Sequence, residues 1–441
     1  MTLLDRAIDV RVWLAEVRAW SALDVTPLPL RDCDRWAYRD GQLVHDTGRF
    51  FSVAGLRANG SDHAMIDQPE VGWLGFIIRP GPAGPEWLVQ AKTEPGNVHD
   101  TQIAPSLQAT RSNYECLHGG APTRFLARFQ HAGAFVSDGP HSEQGTRFLW
   151  KFNRNSVLAL PSDQARDVSG GPQWTWCAAP ALREMLAQDY AVNTDARSVI
   201  ATAPWALLCG NGPLFDAPVL TASYRRLARD VIKSQADQMV ARARPVGARP
   251  ENRWSNVPLQ DLSGYEMTPT HLIGPDGAPC VGFYGINVEG REVAHWCQPL
   301  LLAPDTLEVT LLMRVTDAGA EVFVRPYQEV GFGARREYGP SMHGAFDLPE
   351  QMQGWIASSA PQTLLRVEQS DEGGRFMQVK ASYAIAVIKD VPPRMQYPFG
   401  SWIPLGLLEE LVARPGASTN ELRTLASIVL STDFDRACRD L

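Results

Sequence analysis

The sequence predicts an α+β protein in which one domain is used twice, and three observations carry that expectation. Short apolar runs broken by Asp40-Gly41, Asn59-Gly60 and Gly81-Pro82 come first, and helical spacing follows behind them. The same order of short motifs returns after residue 250. Between the two lies a helical, basic segment that Pro245 to Pro250 interrupts. We therefore expect a first repeat over 1–218, a helical junction over 219–250 and a second, diverged repeat over 251–441, each repeat a mixed β-sheet flanked by helices.

Taken in order, Leu4, Ile8, Val12, Trp13, Val17 and Trp20 recur near helical spacing and predict a packing helix over Leu3–Ala22, ended by Pro27 and Pro29. From Arg35 to Gly81 the pattern turns to strands around Tyr38, Leu43–Val44, Phe50–Val53 and Val71–Ile78. Phe125–Phe129 and Phe148–Leu160 read as further strands. Ala181–Gln188 and Asp195–Leu207 read as helices, the second opened by Asn193-Thr194-Asp195 as its cap. Ser223–Arg244 is one more helical pattern, and its surplus of Arg and Lys reads as a solvated face.

Composition narrows the class. With 441 residues, 44% hydrophobic and 20% charged, the chain has the make-up of an ordinary globular protein with room for a large core. A formal net charge of −8 argues against a broad nucleic-acid surface. The seven cysteines are odd in number and form no CxxC pair, which argues for reduced thiols and against a disulfide framework or a structural zinc site. The N-terminal stretch carries acids and does not read as a signal peptide, and no apolar run reaches the length of a membrane span. The expectation is a soluble, cytoplasmic protein.

The densest polar stretch is Trp87 to Gly120. Trp87-Leu88-Val89 runs into Gln90, Lys92 and Glu94, and beyond Pro95-Gly96 come Asn97, His99, Gln108, Arg111, Ser112, Asn113, Tyr114 and His118. So many hydrogen-bonding side chains suit a site that grips a polyhydroxylated, charged ligand. Further on, Glu143 and Arg147 sit in one polar loop and Asn153-Arg154-Asn155 in the next segment.

The motifs recur in unchanged order. Pro29-Leu30-Arg31-Asp32 is echoed by Pro258-Leu259-Gln260-Asp261, Asp67-Gln68-Pro69 by Cys297-Gln298-Pro299, and Glu94-Pro95-Gly96 by Glu329-Val330-Gly331. Ala104-Pro105-Ser106 returns as Gly339-Pro340-Ser341, Ser142 to Phe148 as Ser370 to Phe376, and Asp195-Ala196-Arg197-Ser198 as Glu421-Leu422-Arg423-Thr424. The copies are unequal, because the second has no counterpart of Q-A-T-R-S-N-Y and reads Val379-Lys380-Ala381 where the first has Lys151-Phe152-Asn153. Catalysis is expected in the first copy, with the second as scaffold or secondary site.

Q-A-K-T-E-P-G-N (90–97), Q-A-T-R-S-N-Y (108–114), H-G-G (118–120), S-E-Q-G-T-R-F (142–148) and N-R-N (153–155) together resemble the NDP-hexose 2,3-dehydratases of deoxysugar biosynthesis, over nearly the whole chain. The resemblance implies tandem domains of Nudix-hydrolase-like fold and a homodimer. It also implies conversion of a dTDP-4-keto-6-deoxyglucose to a 3,4-diketo-2,6-dideoxy sugar, which a partner 3-ketoreductase consumes. Nudix chemistry is not implied, since neither copy contains the G-x5-E-x7-R-E-x2-E-E pattern that holds Mg²⁺.

Such a dehydration needs neither metal nor redox cofactor. The ketone acidifies the C3 proton, a general base removes it, and expulsion of the C2 hydroxyl with help from an acid gives an enol that tautomerises. Each proton-transfer role contributes about 10²–10⁴-fold, and a cation at the developing O4 oxyanion adds comparably. Lys92, Glu94, His99, Tyr114, His118 and Glu143 are the suitable types, with Glu143, Tyr114 or His118 moving protons and Lys92 or Arg111 steadying the enolate. Arg147, Asn153, Arg154 and Asn155 suit diphosphate or sugar hydroxyls. Gln68, Gln90, Asn97, Gln108, Ser112 and Asn113 complete the expected binding set, and Trp73, Trp87 or Tyr114 are candidates to stack on the base. Three other readings stay open: an altered elimination or isomerisation, a silent nucleotide-sugar binder, and a hydrolase.

Overall fold

The computed structural model describes residues 2–58, 60–110, 114, 122–243, 254–291, 293–389 and 400–441. Strands of the first half are β1 (Leu3–Leu4), β2 (Asp24–Pro27), β3 (Trp36–Arg39), β4 (Gln42–His45), β5 (Ser52–Ala58), β6 (Ser61–Asp67) and β7 (Gly72–Arg79). They continue as β8 (Glu86–Thr93), β9 (Thr101–Ala104), β10 (Leu107–Ala109), β11 (Ser137–Ser142), β12 (Phe148–Leu149), β13 (Phe152–Ala159) and β14 (Trp174–Ala178). The second half holds β15 (Trp254–Val257), β16 (Glu266–Met267), β17 (His271–Ile273), β18 (Pro279–Asn287), β19 (His295–Leu301) and β20 (Leu307–Thr316). It ends with β21 (Gly319–Tyr327), β22 (Glu337–Gly339), β23 (Met342–His343), β24 (Gln362–Ser370), β25 (Lys380–Val387) and β26 (Ser401–Ile403).

Each half has a large mixed sheet and a smaller one. In the first, β14, β8, β7, β13 and β11 lie side by side, with β7 and β13 parallel and the other neighbours antiparallel. In the second, β26, β21, β20, β25 and β24 repeat that order, with β20 and β25 the parallel pair. The short strands β9 and β10 on β8 and β7 have counterparts in β22 and β23 on β21 and β20. Strands β7 and β8 are apolar on both faces, as burial on both sides requires. Trp87, Leu88 and Val89 are fully buried, each worth about 1.5–3 kcal/mol relative to exposure.

The small sheets exchange strands. β15, from the second half, pairs antiparallel with β5, while β2, from the first, pairs antiparallel with β18. The two large sheets share a core through the helices Thr194–Thr202 and Asn420–Val429, both buried throughout. Asn193 caps the first by accepting from the Ala196 N–H, and Thr419 caps the second by accepting from the Leu422 N–H. Each helix buries an arginine that reaches into the opposite half: Arg197 donates to Gln369 and Ser427, and Arg423 donates to Ser198 and the Ser142 carbonyl. Burying a guanidinium costs free energy that such hydrogen bonds offset, and these two arginines act as cross-braces between the halves.

Two glycines fix how the halves meet. The Gly96 N–H donates to the Gly373 carbonyl at 2.9 Å, and the Gly331 N–H donates to the Gly145 carbonyl at 2.6 Å. A Cβ at Gly96 would overlap the Phe376 carbonyl, and one at Gly331 the Phe148 carbonyl. The Pro-Gly and Val-Gly turns of the repeated motif are therefore docking points as well as turns.

Several expectations change. The first helix runs Ala7–Ser21, because Leu3–Leu4 extends along β14 instead. Phe125–Phe129 is not a strand: Leu126–Gln130 is a short helix, and the spacing from Phe125 to Phe129 places both rings on one helical face, with Phe129 buried against Trp73. The basic region is two helices, Pro218–Arg225 and Arg229–Ala243. The match of Gln68 to Gln298 slips, since Ile66 bridges Phe148 where Leu301 bridges Phe376. Gln68 thus follows its bridging residue and Gln298 precedes it. Among the described residues no helix is long and apolar enough to cross a membrane.

Candidate active site

A cavity of about 640 Å³ opens between the two small sheets, with lining from both halves. This is a size that takes a substantial small molecule. Trp36, His45 and Phe50 of the first half line it, with Ile286, His295 and Trp296 of the second. Its floor is charged: Glu94, Glu143, Lys151 and Asp195 are buried, and Lys92 and Glu372 are half-buried.

Lys92 and Glu94 leave β8 on the same side and form an ion pair at 3.0 Å. Gln108 donates to the Glu94 carboxylate at 3.3 Å and accepts from Asn193 at 3.1 Å, so one amide orients the pair and the helix cap together. Burial alone would raise the Glu94 pKa, but Lys92, Arg291 and Arg375 hold it below its ordinary value. Glu94 stays ionised and committed to Lys92.

Glu143 sits where the chain leaves β11, its N–H donating to the Lys151 carbonyl at 3.0 Å. Its two oxygens accept from Asn153 at 2.7 Å and from Asn420, of the second half, at 3.1 Å. Burial pushes its pKa up to about 7, against Arg423 and with the Glu372 charge adding to the rise. Lys151 donates to the Glu70 carbonyl at 2.6 Å, and burial pulls its ammonium pKa down. Burial, helped by Glu143 and Glu372, lifts Asp195 well above the usual carboxylate range. The floor can therefore hold or release a proton near neutrality, which is what acid–base catalysis asks of a side chain.

The structure brings together Lys92, Glu94, Gln68, Gln108, Glu143 and Asn153 from the expected set. It separates others. Tyr114 lies in an aromatic core, its hydroxyl donating to the Ala109 carbonyl at 3.0 Å, and burial drives its pKa up, so it moves no proton in the cavity. Arg154 faces away, holding Asp138 at 2.7 Å and covering the Trp73 ring at 4.1 Å. Asn155 donates to Ser198 and Thr202 beneath a helix. Asn97 donates to the Asp100 carbonyl beside Gly373, at the junction of the halves.

Arg147 belongs to the opposite side, where its charge faces Asp371, and Arg375 takes the place expected of it. Gln90 is on β8 but not on the cavity wall, and Trp73 and Trp87 pack against the core away from it, so the tryptophans on the wall are the buried Trp36 and the half-buried Trp296. Arg111, Ser112, Asn113 and His118 lie outside the described residues.

Sequence reasoning missed Lys151, Asp195, Arg291, Glu372 and Arg375. Four had a signal: Glu372 and Arg375 stand in the repeated loop, Asp195 in the repeated helix motif, and Lys151 where the two copies differ. Treating the second copy as scaffold hid the first two. Arg291, which donates to the Thr93 carbonyl at 3.3 Å and lies 5.2 Å from the Trp296 ring, had none.

The second half buries a related cluster of Glu329, His343 and Glu421, whose donor atoms lie within 4.8 Å of one another. The His343 Nδ1 accepts the Ala345 N–H at 3.2 Å, which places the ring proton on Nε2, 3.6 Å from Glu421. With the ring in that tautomer, the Nε2 proton faces Glu421, while burial raises Glu329 well above the usual carboxylate range.

The family model for NDP-hexose 2,3-dehydratase matches residues 7–203 and again 243–429. A dTDP-4-dehydro-6-deoxy-alpha-D-glucopyranose 2,3-dehydratase of Streptomyces violaceoruber is 30% identical over 417 residues, covering 89% of this chain and 90% of its own. Its namesake from Saccharopolyspora spinosa is 30% identical over 431 residues, 92% of this chain and 87% of its own. That from Amycolatopsis orientalis is 28% identical over 456 residues, 96% and 90% respectively. An ADP compounds hydrolase structure aligns with 34% of this chain and 83% of its own at 16% identity and a TM-score of 0.22, a likeness too slight to bear on the fold. On the match of both halves and the 30% identity along most of its length, the chain belongs to the NDP-hexose 2,3-dehydratase family.

Proposed function

We propose that this dehydratase acts on a dTDP-4-keto-6-deoxyglucose, removing water across C2 and C3 with Glu143 as the group that takes the C3 proton. The observation that carries this reading is Glu143 itself: buried on the cavity floor, aimed by Asn153 and Asn420, and titrating near 7. Ionised, it is basic enough to take a proton that the C4 ketone has acidified; two amide donors keep its oxygens in place. Lys92 and Lys151, on the same floor, are the cations available to the O4 enolate. The sugar then lies deep, and the nucleotide reaches outward past Arg291 to Trp36 and Trp296.

The test is incubation with dTDP-4-keto-6-deoxyglucose in D₂O, with products followed by mass spectrometry. Loss of water by the wild type, abolished in Glu143→Gln, supports the reading. Binding of dTDP without exchange or water loss points instead to a silent binder, and release of dTMP to a hydrolase. The recurring strand order supports a duplicated domain with repeats over 1–218 and 251–441 joined by 219–250, and the Nudix-like fold of each repeat follows from the family resemblance. A cytoplasmic homodimer whose unstable diketone is consumed by a 3-ketoreductase follows from the family resemblance.

A further inference from the structure

Glu372 lies on the cavity floor, yet it comes from the second half. Its surroundings follow from the way the two repeated loops face each other. In Ser142–Phe148, the Glu143 N–H donates to the Lys151 carbonyl and the Gln144 carbonyl accepts from Arg147 and Phe148. In Ser370–Phe376, the Asp371 N–H donates to the Val379 carbonyl and the Glu372 carbonyl accepts from Arg375 and Phe376. The loops superpose bond for bond, so Gln144 corresponds to Glu372 and Glu143 to Asp371.

On one side of this arrangement Gln144 donates its amide to Asp371 at 2.9 Å, across the junction of the halves. On the other side the corresponding pair is Glu372 with Glu143: the amide donor has become a carboxyl. Glu143 is buried, Glu372 half-buried, and both line the cavity. Gly374 gives Glu372 its room, since the Glu372 Oε1 lies 2.7 Å, and the Glu94 Oε1 3.7 Å, from where a Cβ would stand. The Glu372 charge raises the proton affinity of Glu143, so the two carboxyls do not ionise independently. Arg375, Lys151 and Lys92 are the cations that face Glu372, and Glu94 the further acid.

We propose that Glu372 is a catalytic residue, the proton donor to the departing C2 hydroxyl, working as one pair with Glu143 across the two halves. This rests on the dehydratase reading. Glu143 takes the C3 proton, and the C–H electrons form the C3–C4 enolate. As the C4 carbonyl re-forms, those electrons become the C2–C3 double bond, the C2–O bond breaks, and the Glu372 proton leaves with the oxygen as water. The enol at C3 then returns its hydroxyl proton to Glu372 while Glu143 delivers the proton it holds to C2. Both carboxyls end as they began, and the only net loss is water.

The experiment follows deuterium at C3 and water loss separately in D₂O. Glu372→Gln recreates the Gln144–Asp371 pairing, so the fold has a precedent for it. The proposal expects kcat for water loss to fall by about 10²-fold or more, with KM within a few-fold and C3 exchange retained, while Glu143→Gln loses both. Glu372→Asp, which keeps a carboxyl, should recover part of the elimination and decides the matter if the amide variant does not fold. Elimination by Glu372→Gln at close to the wild-type rate overturns the assignment, as does loss of exchange and elimination together. A wild-type chain that neither exchanges nor eliminates overturns the reaction reading, and the proposal with it.

Discussion

The floor of the cavity and its counterpart in the second half are built on the same backbone and differ in a handful of side chains. Lys92 is answered by Tyr327, Gln108 by His343, Lys151 by Val379 and Asn153 by Ala381, as the matched strands require. Where the first half has two ammonium groups and a carboxyl titrating near 7, the second has Gln144 bound to Asp371 and His343 facing Glu421. Both clusters hold carboxyls that burial raises, Glu143 in the first and Glu329 and Asp371 in the second, but the first lines the cavity beside two lysines and the second does not line it. A buried carboxyl with a raised pKa can serve chemistry only where a substrate can reach it.

The comparison breaks most sharply at the carboxyls. Glu143→Gln should cut turnover by about 10²–10⁴-fold, while Asp371→Asn at the matching position should leave kcat within a few-fold; single-turnover water loss measures both. Equal losses would mean that the second cluster also does chemistry.

Lys151→Met sharpens the electrostatic side. The Lys151 ammonium favours the Glu143 carboxylate, so its removal should move the acidic limb of the kcat/KM profile above about 7 and lower kcat near neutrality. An unmoved limb would mean that another group sets it.

The same carboxyl predicts a pH dependence of stability. Its folded pKa is raised by burial to about 7, so the folded state favours the protonated form. That stabilisation is complete below the ordinary carboxylate range and is lost as pH rises through about 7. Asp195 and Glu372, also raised by burial, act in the same direction. The unfolding temperature should fall as pH rises from about 4.5 to about 7 and level off above that, and Glu143→Gln should flatten that slope; a slope unchanged in the variant would assign it elsewhere.

The smallest effect belongs to the arginines. Arg375→Ala should raise KM, whereas Arg154→Ala should leave KM unchanged and cost about 1 kcal/mol or less, since its bond to Asp138 is part-exposed. Substrate titrations and denaturant melts separate the two.

Much of this was legible in the residues themselves. Alternation and turn signals announced the strands, Asn193 announced its helix, and the repeated motifs announced the matched halves, because hydrophobic period, capping and turn chemistry are local properties. Lys92, Glu94 and Glu143 could be singled out because charged side chains next to an apolar strand call for a partner or a ligand. What the chain alone could not reveal was which faces meet. Arg154 sits between two site candidates, yet β13 turns it toward Asp138; Tyr114 has the right chemistry and is buried in the wrong core. Glu372 lies 229 positions from Glu143 (372 minus 143) and enters the cavity only because Gly96 and Gly331 let each half dock into the loop of the other. Residue type and spacing determined many of the elements and the family. The tertiary structure decided the site, because burial and the neighbouring charge set the proton affinity of a carboxyl, and both come from residues far away in sequence.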